Sequence, residues 1–225
     1  MSNFGFRDLR LVNPYAPSFR EAKSAVGAAS LLAHAREYQS VAEAVADCHL
    51  VIGTTAGARR ELQHPLRSLG EVETGRLIRK HLRGGRVALL FGSEKRGLSN
   101  EDFSHCHWLL RIPTRDEHGS MNLGQAVAVC LYEIAHLLRS KRRSEKSTAD
   151  AKLGQNRVAS AVELERITTL LVDVLRASGY LRAGASSPGE EKVRRMVRRL
   201  ALSGSDAQGW LGMLRQVLWK MKKIE

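Results

Sequence analysis

RVALLFGSEKRGLSNEDFSHCHWLLRIPTRDEHGSMNLGQAVAVCLYEIAHLL, residues 86–138, reads as an apolar strand, a glycine loop, a short helix, a second apolar strand, a polar loop and a long helix. Two loops then leave the C-terminal ends of neighbouring parallel strands, where open α/β sheets bind ligands. In the first loop Gly92 and Gly97 bracket GSEKRG, which suggests a P-loop. A P-loop needs Lys and then Ser or Thr to hold phosphate and Mg²⁺, and Leu98 stands at the lysine position. The nucleotide-triphosphatase reading fails on that chemistry, leaving a turn whose bare backbone lets a ligand come close. Ser99 and Asp102 form a capping box for a short helix. The second loop follows the apolar run 108–112, is stiffened by Pro113, and ends in Ser120, Met121 and Asn122 where a helix begins. Backbone N–H groups at such an N-terminus lack partners within the helix. The helix carries Leu123, Ala126, Val127, Cys130, Ile134 and Leu137 three and four apart, a stripe for packing on the sheet.

Upstream, residues 9–12 read as a short strand ended by Asn13-Pro14, and Ser18 with Glu21 caps a helix running to about Gly27. Ser40 with Glu43 opens a second short helix. Residues 49–54 form a strand with Thr54, Thr55 and Ala56 at its C-terminal end, although a Thr-Thr turn is also ordinary loop chemistry. Residues 57–70 read as an irregular connection on the substrate or dimer side. Its Arg59 and Arg60 either meet the phosphates of a polyanion or form a solvated charge pair. A helix over 71–82 is broken by Gly84-Gly85. In His105-Cys106-His107, consecutive strand residues point to opposite faces and do not converge on one ion, so no metal is expected. Ser120 lacks the G-x-S-x-G elbow of a hydrolase nucleophile.

Beyond Leu138 the composition changes. Residues 140–156 are charged, small and without apolar period, which marks a linker. Helices follow over 158–177, 190–202 and 206–222; in the last, Trp210, Leu214, Val217, Leu218 and Met221 share a face read as core. The charge is placed unevenly: residues 1–138 hold 17 Lys/Arg against 14 Asp/Glu, and 139–225 hold 19 against 9. A basic tail poor in aromatics argues for a polyanion gripped through phosphates rather than through stacked bases, though a solvated helical surface carries the same charge. Arg194, Arg195, Arg198 and Arg199 are the exposed candidates for contact with such a polyanion. A chain of 225 residues with 43% apolar content can bury one α/β core and a small extra domain. Three widely spaced cysteines offer neither a disulfide framework nor a metal quartet, and no apolar run reaches the roughly 18 residues of a membrane span. A soluble, cytoplasmic protein is expected.

LFGSEKRGLSNED (90–102) and IPTRDEHGSMNLGQAVAV (112–129) resemble motifs 2 and 3 of the SpoU/TrmH class of SPOUT RNA 2′-O-methyltransferases. LRLVNP (9–14) and VIGTTA (51–56) fit its TrmJ-like branch in order and spacing. The likeness is close over 1–138 and looser through the helical tail that such proteins carry. It implies an α/β fold with a trefoil-knotted, mostly parallel sheet and flanking helices, plus a small all-α C-terminal domain. The domains are then 1–139 for the methyltransferase, 140–156 for the linker and 157–225 for a basic tRNA-binding unit. The resemblance further implies a homodimer that uses S-adenosylmethionine to methylate a tRNA ribose at nucleotide 32 of the anticodon loop. Thr54, Thr55, Ala56, Gly92, Ile112, Ser120 and Met121 match cofactor-contacting positions. Glu94, Ser120 and Asn122 match those that organise the reacting centre, although a surface carboxylate paired with Lys95 or Arg96 also accounts for Glu94. One departure stands out. The family opens with a β-α unit of roughly two dozen residues carrying motif 1, an Asn and then an Arg set against the target ribose, and Met1 aligns just past that Arg. The alternatives are a non-catalytic tRNA- or RNA-binding protein that has lost the motif 1 arginine, or a base methyltransferase of another SPOUT branch.

Overall fold

The computed structural model describes residues 1–14, 27, 29–56, 62–115, 119, 121–140, 157–181 and 188–223. Its centre is β3 (Cys48–Thr54), whose Leu50, Val51 and Ile52 are buried on both faces. That is how a continuous apolar run behaves inside a parallel sheet. β5 (Arg86–Leu90) pairs with one side of it and β6 (Trp108–Arg111) with the other. β4 (Leu66–Ser68) adds to β6, so the four parallel strands run in the order β4-β6-β3-β5. Leu66 is exposed and the three residues of β4 show no alternation, so the sequence reads 57–70 as loop where the sheet gains an edge strand. Two helices make the crossovers, α3 (Val72–Gly84) from β4 to β5 and α4 (Asn100–Ser104) from β5 to β6.

β1 (Arg10–Val12) and β2 (Arg36–Tyr38) form a separate two-stranded parallel sheet, accompanied by α1 (Ala29–Ala33) and α2 (Val41–Ala44). Asp8 and Asp47 tie this unit to the start of β5: Asp8 accepts from Arg10, Arg36 and Arg86, and Asp47 from Arg10. β5 is thereby an edge of the larger sheet, and Val87 to Leu90 are only half-buried. Ser40 caps α2 as expected, but Glu43 reaches back to the N–H of Gln39 rather than to that of Ser40. The helix expected over 18–27 and the linker beyond Ser140 lie outside the described residues, apart from Gly27.

α5 (Leu123–Ser140) covers one face of the sheet, packing Cys130 and Ile134 with Leu50, Ile52, Trp108 and Leu110. On the other face Val45, Cys48, Val51, Leu98, Phe103, Cys106 and Leu109 cluster with Ala161. Ala161 opens α6 (Ala161–Ala177), which with α7 (Pro188–Arg199) and α8 (Gly204–Met221) surrounds a core of Leu164, Ile167, Val197, Ala207, Leu211 and Leu214. α6 therefore rests against the sheet and α7 against α4, while α8 packs on α6. α6 starts later than its apolar run suggests, because Ser160 and Glu163 close a capping box and Val158 bridges to Ser203. In α8 the inward face runs through Ala207, Leu211 and Leu214, with Trp210 packed against it and Leu218 and Met221 half-buried; of the expected face only Val217, 45% exposed, turns outward. Among the described residues no helix is long and apolar enough to cross a membrane.

His105, Cys106 and His107 lie in the turn between α4 and β6, not within the strand. His107 Nδ1 accepts from the N–H of Val51 at 3.1 Å, while His105 faces Glu165. Burial pushes His64 and His105 down to about 4 and His107 to about 3, and Arg195, Arg194 and Arg198 respectively add to the shift. The unfolded chain takes up these protons near pH 6.5, as ordinary imidazoles do. Folded pKa values below unfolded ones mean that stability is complete above about pH 6.5 and is lost as pH falls toward 4. Thermal melts between about pH 8 and pH 5 should show a midpoint that drops below pH 6.5, before carboxylates titrate. A midpoint constant down to pH 5 would contradict this burial.

Candidate active site

Three loops start side by side because the ends of three strands are pinned together. Thr54 Oγ1 donates to the Leu90 carbonyl at 2.8 Å, joining the end of β3 to β5. The Thr55 N–H donates to the Leu110 carbonyl at 3.0 Å, joining it to β6. Thr54 and Thr55 are half-buried and Ala56 is exposed.

After β5 the chain folds over Gly92. The Gly97 N–H donates to the Ser93 carbonyl at 2.8 Å, and Gly97 takes a φ of 67°, the left-handed region that favours glycine. A Cβ on Gly92 would lie 2.0 Å from the Gly97 carbonyl carbon. This closed turn presents Glu94, Lys95 and Arg96 to solvent. Leu98, the residue that rules out a P-loop, is the turn's anchor, buried with Val51, Phe103 and Leu109. The Ser99–Asp102 capping box then starts α4 as the sequence predicts.

At the third loop, Asn122 caps α5: its Oδ1 accepts from the N–H groups of Gly124 and Gln125 at 2.9 and 3.3 Å. Those bonds settle which end of the amide points outward, and Nδ2 donates to Glu94 Oε1 at 3.2 Å. The two loops thus meet through Glu94 and Asn122, two of the three residues that the resemblance places at the reacting centre. Phe91, Gly92, Ile112 and Met121 are half-buried around the same strand ends. Of these, Phe91 and Ile112 pack against the core cluster of Leu50, Ile52, Trp108 and Leu110. Ser120, Arg59 and Arg60 lie outside the described residues.

Half-buried apolar side chains, strand-end backbone groups and one oriented carboxylate are thus brought together at this end of the sheet. Among the described residues no group of three or more His, Cys, Asp or Glu could hold a metal ion.

The arginine ridge of α7 needs correction. Arg198 is 2% exposed; its Nη1 donates to the Ala161 carbonyl at 3.1 Å and its Nη2 to Glu165 Oε2 at 2.9 Å. Burial pulls its pKa down to about 10, still protonated at neutral pH. Arg194 donates to Glu165 Oε1 and to Ser104 Oγ, both at 3.0 Å, and Arg195 pairs with Glu191. Of the four, Arg199 alone stands exposed. Val193 and Val197 are the buried anchors of α7, so Arg194 and Arg198, one position further on, are carried toward α6 and α4. Arg198 thus ties α7 to α6 and Arg194 ties it to α4 of the sheet domain as well, so neither faces an open surface.

A model of the SpoU rRNA methylase family matches residues 1–132. The chain is 33% identical over 226 aligned residues to the tRNA (cytidine/uridine-2′-O-)-methyltransferase TrmJ of Photorhabdus laumondii, with 99% of this chain and 88% of the relative covered. It is 30% identical to the TrmJ of Sodalis glossinidius, covering 96% of this chain and 83% of that one. The crystal structure of TrmJ from Z. mobilis ZM4 superposes with a TM-score of 0.78 at 29% identity, covering 96% of this chain and 89% of that one.

Proposed function

Because the chain belongs to the SpoU rRNA methylase family, we propose that it is an S-adenosylmethionine-dependent tRNA ribose 2′-O-methyltransferase acting at nucleotide 32 of the anticodon loop. The observation that carries this reading is the Asn122–Glu94 hydrogen bond, which joins two loops at the ends of adjacent parallel strands. In this reading the sheet is trefoil-knotted, two copies pair, and the C-terminal helices grip tRNA. Thr54, Thr55, Ala56, Gly92, Ile112, Ser120 and Met121 hold the cofactor, largely through backbone groups. Bound S-adenosylmethionine supplies an electrophilic methyl sulfonium. The work left to the protein is alignment and proton removal. Asn122, its Oδ1 committed to the helix cap, holds the Glu94 carboxylate in place. The second oxygen of Glu94 is then available to accept the 2′-hydroxyl proton and to orient that oxygen for in-line attack. No arginine of this chain is assigned the motif 1 role.

The test is transfer of labelled methyl to an unmodified tRNA transcript, followed by mass analysis of the modified nucleoside. Methylation of a ribose is expected, and Glu94→Gln and Asn122→Ala should each lower kcat by about 100-fold with tRNA capture unchanged. Tight tRNA binding without transfer would instead assign a non-catalytic RNA-binding role, and a methylated base would assign another branch of chemistry.

A further inference from the structure

With Arg194, Arg195 and Arg198 held in ion pairs, one group of the solvent-facing cations of the tail lies on the last turns of α8. Arg215, Lys220, Lys222 and Lys223 are exposed and have no ion-pair partner among the described residues, and the only acid of α8 is Asp206, at its opposite end. Among them stands Trp219, 51% exposed, with the Lys223 ammonium 4.1 Å from the centre of its ring. Arg215, Trp219, Lys222 and Lys223 follow one another at spacings of four, three and four-from-Trp219, and so share one side of the helix, beside the buried Ala207–Leu211–Leu214 stripe. Gly212, a turn before Arg215, has nothing within 4 Å of where a Cβ would stand, so the surface leading to the indole is low and open.

Cations at a helix C-terminus complement its dipole, which explains the lysines but not the tryptophan. An indole left half in water forgoes its large burial energy, and a cation–π contact recovers only part of it. Bases that are unpaired offer a π-face to such a ring, and their phosphates offer charge to the flanking cations. We infer that the Arg215–Trp219–Lys222–Lys223 face of α8 is an RNA-docking platform, with Trp219 stacking on an unpaired base and the three cations on neighbouring phosphates. This rests on the tRNA reading above and sharpens it. It adds a stacking contact to the phosphate grip expected from composition.

The experiment uses the full chain, a tRNA transcript and a single-stranded oligouridylate, with affinity read by anisotropy and stacking by quenching of tryptophan fluorescence. Trp219→Ala should weaken both RNAs by about 5- to 100-fold, and Trp219→Phe should restore most of the loss. Lys222→Glu with Lys223→Glu, which keeps the indole, should reduce the slope of log Kd against log salt by about 2. Unchanged melting temperatures would confirm that the variants fold. If the wild-type chain methylates tRNA while Trp219→Ala binds both RNAs as tightly as wild type, the platform is overturned and the enzymatic reading stands. If the wild-type chain transfers no methyl but loses oligouridylate affinity on Trp219→Ala, the platform stands and the enzymatic reading falls. Failure of the wild-type chain to bind either RNA overturns the platform.

Discussion

Gly92→Ala is expected to remove cofactor binding and to lower the melting temperature, the largest effect of any single methyl added at the site. The new Cβ would fall 2.0 Å from the Gly97 carbonyl carbon, 2.2 Å from the Leu98 nitrogen and 2.3 Å from the Gly97 oxygen. All three are backbone atoms, so no rotamer change relieves the clash. The turn must open, giving up the 2.8 Å bond from Gly97 N–H to Ser93 and drawing on Leu98, which is 6% exposed in the sheet's core. Overpacking of this kind costs about 1–3 kcal/mol, and partial withdrawal of a buried Leu costs a comparable amount. For a chain of this size each kcal/mol lowers the melting temperature by about 2–4 °C. Glu94, carried on the same turn, would lose its position against Asn122. Calorimetric titration with S-adenosylmethionine and thermal melts check both effects. Gly84→Ala is the control, since nothing lies within 4 Å of its added Cβ and the position is helical. A Gly92→Ala protein with wild-type melting and affinity would show that the turn is not closed as described.

Glu165→Ala is expected to be the most destabilising change outside the site. Its carboxylate faces Arg194 at 3.0 Å, Arg198 at 2.9 Å and His105 at 3.7 Å. Removing it strands the Arg198 guanidinium in the interior without a counter-charge. Breaking a buried pair from one side costs about 3–5 kcal/mol, far above the 0–1 kcal/mol typical of surface pairs. Replacing both partners together, as Glu165→Leu with Arg198→Met, should recover part of that loss, because the fully buried charge leaves with its partner and only the partly exposed Arg194, still bonded to Ser104, is left without a carboxylate. Urea unfolding of the two single variants and the double variant measures the difference. The contact from Arg194 to Ser104 at the end of α4 means that the loss should spread to the sheet domain. Equal stability of Glu165→Ala and wild type would remove the buried ion cluster as a tie between the two parts.

The readings from sequence that the structure supports rest on signals confined to a few consecutive residues. The succession of strand, turn, helix, strand and helix from Arg86 onward is present, as is the capping box at Ser99 and Asp102. α5 buries Cys130 and Ile134 from the stripe read in its sequence. These features follow from periods of two and about four residues and from caps that span three, so a local window contains all their causes. Family membership was legible for a related reason: the loop sequences are long and contiguous.

What folding alone decided involves partners far apart in the chain. Glu94 and Asn122 are 28 residues apart and Arg198 and Glu165 are 33 apart, and no periodicity relates them. Four arginines on one helix look alike in sequence, yet the docking of α7 against α6 and α4 buries one, pairs two more and leaves Arg199 in solvent. Whether Trp219 is covered is likewise set by the docking of α8, which turns Leu211 and Leu214 inward and leaves the indole 51% exposed. Charge and hydrophobicity state what a side chain prefers, whereas burial depends on which surface arrives opposite it, and that is a property of the assembled chain.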